Sequence, residues 1–356
     1  MPFDDRTFPS AEAAGFRRNR RMVATWLFAI AYMIWALVLI GGATRLTGSG
    51  LSIMEWAPVT GALPPLTNAE WHRLFAEYRQ IPQYNLLHAG MALDGFKEIF
   101  WLEWIHRAWA RMIGVAFLVP LIYFSAIDAI ERRLVPKLYM LFGLFALQGA
   151  VGWFMVASGF FPDSTSVSPY RLVIHLSLAL ILFSAILWTA LTTANPVPIS
   201  VPNSHRLRRL CQGAAILVAT TIVAGGFTAG LHAGLQYNTF PLMDGHLFPA
   251  GYANLHPFWR NLTENPISVQ FNHRLLATLT ALTVTAVVAI GLRTTLPPNA
   301  RTAVYLLGGA VLLQYSLGIA TLLTVVALPI AVAHQGTAVL VLATALTAAH
   351  TLRGAK

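Results

Sequence analysis

Long apolar stretches separated by short polar connections dominate the chain. Eight of them reach spanning length, at about 22–44, 101–126, 137–158, 171–193, 210–231, 269–292, 301–323 and 327–350. At about 1.5 Å per residue, a helix of roughly 20 apolar residues crosses the hydrocarbon core of a bilayer. The pattern therefore predicts an all-α integral membrane protein with eight transmembrane helices. The last two stretches almost abut, which predicts a tight hairpin near Pro329. Two connections are long, about 45–100 and 232–268, and rich in Pro, Gly and aromatic residues rather than charge. Connections of that length are usually functional, and these are expected to form lids over sites at one membrane face.

Composition agrees with a bilayer as solvent. Hydrophobic residues make up 56% of the 356, and charged residues 11%, against about 25% in soluble domains. The net charge of +10 does not form one patch. Basic residues sit in short clusters between the apolar runs, which is a topology signal and excludes nucleic acid as partner. Arg17, Arg18, Arg20 and Arg21, Arg132, Arg133 and Lys137, Arg206, Arg208 and Arg209, and Arg293, Arg301 and Arg353 all fall on one side. Arg45, Arg73, Arg79, Lys97, Arg171 and Arg260 fall on the other. The positive-inside rule places both termini in the cytoplasm. Residues 1–21 read as a cytoplasmic tail leading into a retained first helix, without a cleavable signal. Asp4, Asp5 and Glu12 make that tail unlike a mitochondrial presequence, so the expected location is a bacterial inner (plasma) membrane, multi-pass. Cys211 is the one cysteine. No intramolecular disulfide, CxxC pair or thiolate metal site is possible, so any cofactor must be held by His, carboxylate or Met.

The chain also repeats itself. Gly41-Gly42-Ala43-Thr44 and Gly50-Leu51 recur as Gly225-Gly226-Phe227-Thr228 and Gly234-Leu235. His106-Arg107 recurs as His273-Arg274, Gln148 and Gly152 as Gln314 and Gly318, and His175 as His334. Four landmarks in one order imply two homologous four-helix bundles. An even number of helices per half gives both halves the same orientation, related by a pseudo-two-fold axis along the membrane normal. The expected division is a tail over 1–21, an N-terminal half over 22–194, a cytoplasmic linker over 195–209 and a C-terminal half over 210–352.

Within each half, two histidines come from different helices at one depth: His106 with His175, and His273 with His334. An imidazole in hydrocarbon is costly and reads as functional. Two imidazoles facing each other across a bundle can ligate haem iron axially. The competing readings are hydrogen bonding to neighbouring helices and a proton or transport pathway. His72, His88, His205, His232, His246, His256 and His350 lack such partners and are expected to be bystanders. Arg107 and Arg274 follow the helix 2 and helix 6 histidines, where a cation can pair with haem propionates or snorkel to the interface. Glu103 precedes His106 by three residues, on the same helix face, and Gln270 occupies the matching place before His273. Only the first half thus offers an ionisable group beside its histidines. Glu103 can act as a base or stabilise a cation, or simply pair with Arg107 at i, i+4.

These residues carry a resemblance. Gly41 through Ser52, Glu103-Trp104-Ile105-His106-Arg107, Gln148-Gly149-Ala150-Val151-Gly152-Trp153, Tyr237 through Met243, Gln270-Phe271-Asn272-His273-Arg274 and His334-Gln335 resemble the haem A synthases, the COX15/CtaA-type family of cytochrome oxidase assembly. The resemblance covers nearly the whole chain. It implies oxidation of the C8 methyl of haem O to a formyl group, giving haem A. It implies a resident haem b on His273 and His334, the substrate haem on His106 and His175, and Glu103 as the acid beside it. Haem O synthase is the implied partner, the electron acceptor is not named, and the haem sites lie toward the periplasmic face. Some members carry a cysteine pair in the first long loop; this chain does not, which places it with the cysteine-free branch. The rival classes are a di-haem b-type electron carrier and a transporter with intramembrane histidines.

Overall fold

The computed structural model describes residues 11–198, 200–202 and 204–355. Of the tail expected over 1–21, residues 1–10, with Arg6, lie outside the described residues, as does the Arg17 side chain. The helices are α1 (Ala11–Leu46), α2 (Asn68–Tyr78), α3 (Pro82–Leu87), α4 (Leu93–Ala126), α5 (Val135–Val156), α6 (Pro169–Ala194), α7 (His205–Gly230), α8 (Pro266–Arg293), α9 (Pro298–Leu323) and α10 (Leu328–Thr351). Among the described residues, eight of these, all but α2 and α3, are long and apolar enough to cross a membrane. The chain is a multi-pass, predominantly helical membrane protein.

Local chemistry sets the helix starts. Proline occupies the first turn of α5, α6, α8, α9 and α10, where its missing N–H has no helical partner to lose. Asn265 caps α8 by accepting from Ile267 N and Ser268 N. Helix α4 begins at Leu93, well before the apolar run that starts near 101. Asp94, Lys97 and Glu98 hide this extension from a hydropathy reading, yet Phe96 and Phe100 are buried on its inner face. Likewise α7 starts at His205, with Arg206, Arg208 and Arg209 in its first turns.

The packing follows a pattern that recurs in each half. Helix α1 packs on α4 and α6, and α5 on the same two; α7 packs on α8 and α10, and α9 on the same two. The halves meet where α1 lies on α10, α6 on α7 and α6 on α10. Buried polar groups find carbonyls on neighbouring helices, as a medium without water requires. Trp26 Nε1 donates to Ala116 O at 2.9 Å and Trp109 Nε1 to Met33 O at 2.9 Å. Between the halves, Trp35 Nε1 donates to Gly336 O at 3.0 Å and Gln335 Nε2 to Val38 O at 2.9 Å. At the end opposite the long loops, His350 Nε2 meets Thr192 Oγ1 at 3.1 Å, and Arg20 and Arg353 donate to the carbonyls of Thr193 and Asn195.

The two long loops differ in build. Residues 52–92 contain α2 and α3 and share a small core of Trp71, Tyr78, Ile81, Phe96 and Phe100 with the extension of α4. Tyr78, wholly buried, lies 2.6 Å from His88 Nδ1 and donates to Gln83 Oε1 at 3.0 Å, while Gln83 Nε2 donates to Gly48 O at 2.9 Å. Burial pushes the Tyr78 phenol above its ordinary value and His88 below its own, so the network is neutral at neutral pH. The second loop has short 3₁₀ turns and leaves Leu247, Phe248 and Trp259 exposed.

Candidate functional site

His175, His273 and His334 stand six or seven residues from the loop-bearing starts of their helices, and His106 stands thirteen residues in, because α4 extends into the first long loop. His106 lies on α4, His175 on α6, His273 on α8 and His334 on α10. Each faces a glycine on the adjacent helix: Gly41 on α1, Gly152 on α5, Gly225 on α7 and Gly318 on α9. A Cβ on any of these glycines would come within 2.9–3.0 Å of the imidazole, closer than side chains tolerate. The glycines are therefore what admits the rings between the helices. Each lies four or five residues from the end of its helix, about 6–8 Å along the axis. Among the described residues no three His, Cys, Asp or Glu form a metal-binding group. The imidazoles come in pairs.

Their hydrogen bonding is incomplete in matching places. His273 Nδ1 donates to Thr221 O at 3.1 Å, which leaves Nε2 as the acceptor nitrogen. His175 Nδ1 and His334 Nδ1 are buried without a partner, and so are Gln148 Oε1 and Gln314 Oε1 beside them. Gln148 Nε2 donates to His175 O at 3.1 Å. Buried polar atoms left unpaired at two repeat-related positions mark a place built to receive something.

Glu103 is buried at 2% exposure. Its Oε2 accepts from Ser52 Oγ at 2.7 Å and Ile53 N at 2.9 Å, and its Oε1 from Arg107 Nε at 3.1 Å and Nη2 at 2.6 Å. Every partner is a donor, so the carboxylate is held purely as an acceptor. Arg107 also donates to Glu55 O at 2.8 Å and Ile53 O at 2.7 Å. In the second half Arg274 donates to Thr239 O at 2.9 Å and Tyr237 O at 2.7 Å, with Gln270 Oε1 at 3.0 Å. Gln270 Nε2 in turn donates to Ala233 O at 2.8 Å. Both arginines thus pin the chain that follows the preceding helix. The Glu/Gln difference reverses one bond: Glu103 accepts from the loop, and Gln270 donates to it. Glu103 neutralises Arg107, while Gln270 gives Arg274 no charge partner and no other acid pairs with it among the described residues.

The four glycines as histidine partners, Ser52, and the Thr221 carbonyl escape a sequence reading. Gly41, Gly152, Gly225 and Gly318 are visible there only as repeat landmarks; small residues at the depth of a histidine on the neighbouring helix are the signal that pairs them.

Comparison with known proteins settles the family. Residues 24–346 match the COX15-CtaA family model, described as cytochrome oxidase assembly protein. The chain belongs to the COX15-CtaA family. Among similar members, the haem A synthase of Granulibacter bethesdensis is 60% identical over 339 residues, 95% of this chain and 89% of that protein. Haem A synthase 2 of Acidiphilium cryptum is 46% identical across 98% of this chain and 96% of its own length. The haem A synthase of Rhodospirillum centenum is 47% identical across 96% and 92%. For a COX15-CtaA protein the site chemistry fits a haem. Paired imidazoles from facing helices would serve as its ligands; they sit in glycine notches, and the unpaired amide oxygens of Gln148 and Gln314 lie beside two of them. Thr221 fixes one tautomer as an outer partner of a ligand does.

Proposed function

We propose that the protein oxidises the C8 methyl of haem O to a formyl group, producing haem A. The observation that carries the reading is the paired, glycine-cradled histidines in a chain so similar to haem A synthases. His106 and His175 hold the substrate haem in the N-terminal half, and His273 and His334 hold a resident haem b in the C-terminal half. When bound, haem b supplies one-electron transfer. With water as the oxygen source, the methyl-to-formyl conversion releases electrons and protons in equal number, so the electrons need an outlet.

The chain's own residues do the rest. Glu103 places a fixed negative charge beside the first pair, in a setting of low dielectric where it counts most. Arg107 is neutralised by Glu103, so Arg274 is the stronger partner for a propionate. The roof over residues 52–92 keeps bulk water from the first site, and the helix ends set both pairs at one depth. We further propose a bacterial inner membrane with both termini cytoplasmic, the histidines toward the periplasmic face, a pseudo-two-fold axis relating halves 22–194 and 210–352, and delivery of haem O by haem O synthase.

The test is haem extraction from protein produced alongside haem O synthase, for wild type and Glu103→Ala. Haem b with haem O and haem A in wild type, and haem A reduced at least about tenfold in the variant, is the expected result. Haem b alone in both would favour an electron carrier.

A further inference from the structure

Three of the four imidazoles meet their glycine in one way and the fourth in another. A Cβ on Gly152, Gly225 or Gly318 would touch Cε1 of its histidine first, at 2.9–3.0 Å, then Nδ1 at 3.4–3.5 Å, with Nε2 at 3.7–3.8 Å. On Gly41 it would touch Nε2 of His106 first, at 3.0 Å, then Cδ2 at 3.5 Å and Cε1 at 3.7 Å. The His106 ring is therefore turned with its outer nitrogen into the notch of α1. Nothing holds it in the other orientation. Its counterpart His273 is fixed by the Thr221 carbonyl, whereas His106 has no hydrogen bond to any described residue. His175, its partner across the site, presents the same edge as the two histidines of the other half.

We infer that His106 is the exchangeable ligand of the first site, and that Gly41 is a positioning residue that gives the displaced ring somewhere to sit. This rests on the reading that His106 and His175 hold the substrate haem. A cofactor can be gripped by two fixed imidazoles indefinitely; a substrate must bind and, once converted, depart. Iron held on both axial sides has no open position. A site whose two ligands were both pinned would keep its product. One ligand that keeps the orientation of the second-half pair, His175, and one that swings into a groove lacking a side chain satisfy both needs. His273, pinned through Nδ1 by the Thr221 carbonyl, is also the better donor, which sets it apart from its counterpart His106.

Carbon monoxide is the probe, because it enters a ferrous haem only where an axial ligand has left. Full-length protein carrying both haems is reduced, and CO binding is followed by visible absorption. In wild type one of the two haems is expected to bind CO. In Gly41→Ala the added methyl fills the notch, and CO binding is expected to slow roughly tenfold or more. That effect is expected to vanish in Gly41→Ala/His106→Gly, where there is no ring to park. Persistence of the effect in the double variant, or CO binding unchanged in Gly41→Ala, overturns the inference. The spectrum of the second-half haem reports folding of each variant.

If Gly41→Ala does not fold, the single variants decide. His106→Gly should keep the first haem on His175 alone, while His175→Gly should lose it. Equal retention or equal loss of the first haem overturns the inference. Wild-type haem content and spectra in both variants mean instead that no haem sits on these residues, and the underlying site assignment fails.

Discussion

Ser52 is the residue whose role is most specific to one half. Its buried hydroxyl gives Glu103 a short hydrogen bond of 2.7 Å. Removing one donor from a buried carboxylate costs about 1–3 kcal/mol, and here the loss also frees the loop that Glu103 and Arg107 hold. Ser52→Ala is expected to lower haem A formation severalfold while leaving haem b content at the wild-type level, because the second half has no part in this bond. Haem chromatography with pyridine haemochrome quantification checks it; equal loss of both haems would assign Ser52 to general stability. Glu103 and Gln270 differ by one atom type, yet the difference is matched by what each faces, an N–H and a hydroxyl against carbonyls. The acid is thus part of a local design and not an isolated substitution.

At the scale of elements, the loop face depends on carboxylates outside the membrane. Glu70 completes a capping box with Thr67 at the start of α2, and the Leu66 and Thr67 backbone N–H groups hold its carboxyl below the ordinary value. Glu264 is held below its ordinary value by the side chains of Arg260 and Tyr170; its bond to Tyr170, 2.8 Å, ties the second loop to α6. A carboxyl depressed on folding adds stability above the unfolded value and loses it as pH falls through the folded one. Thermal stability in detergent is expected to decline as pH drops below about 4.5, the ordinary carboxyl value, and the decline should be shallower in Glu70→Gln/Glu264→Gln. A melting series across pH 3–7 measures it. The spanning helices were legible because apolar length alone defines them. The start of α4 was not: Asp94, Lys97 and Glu98 interrupt the run, and only the tertiary burial of Phe96 and Phe100 makes it helix. Helices α2 and α3 were hidden for the same reason, since their stability comes from a shared core that no local pattern announces. The histidine pairs were visible as repeats, but which helix each ring leans on depends on interhelical geometry.

For the whole molecule, contacts between the halves occur at three depths: Tyr170 with Glu264 at the loop face, Trp35 and Gln335 with α10 and α1 carbonyls in mid-membrane, and His350, Thr192, Arg353 and Asn195 at the opposite face. Such spacing resists both rocking and shear of one half on the other. The roof is the contrasting case. Its Trp71, Tyr78 and Ile81 form a small core with Phe96 of α4, separate from the main core between the spans. Urea acts on surface that water reaches and spares helices sheathed in detergent. Hydrogen exchange in rising urea should therefore show residues 67–92 losing protection together, at a concentration where the spans are still closed; gradual loss spread over both regions would deny the roof its independence. The roof then has a folding equilibrium of its own, which a solute or crowding agent can shift while the spans stay closed.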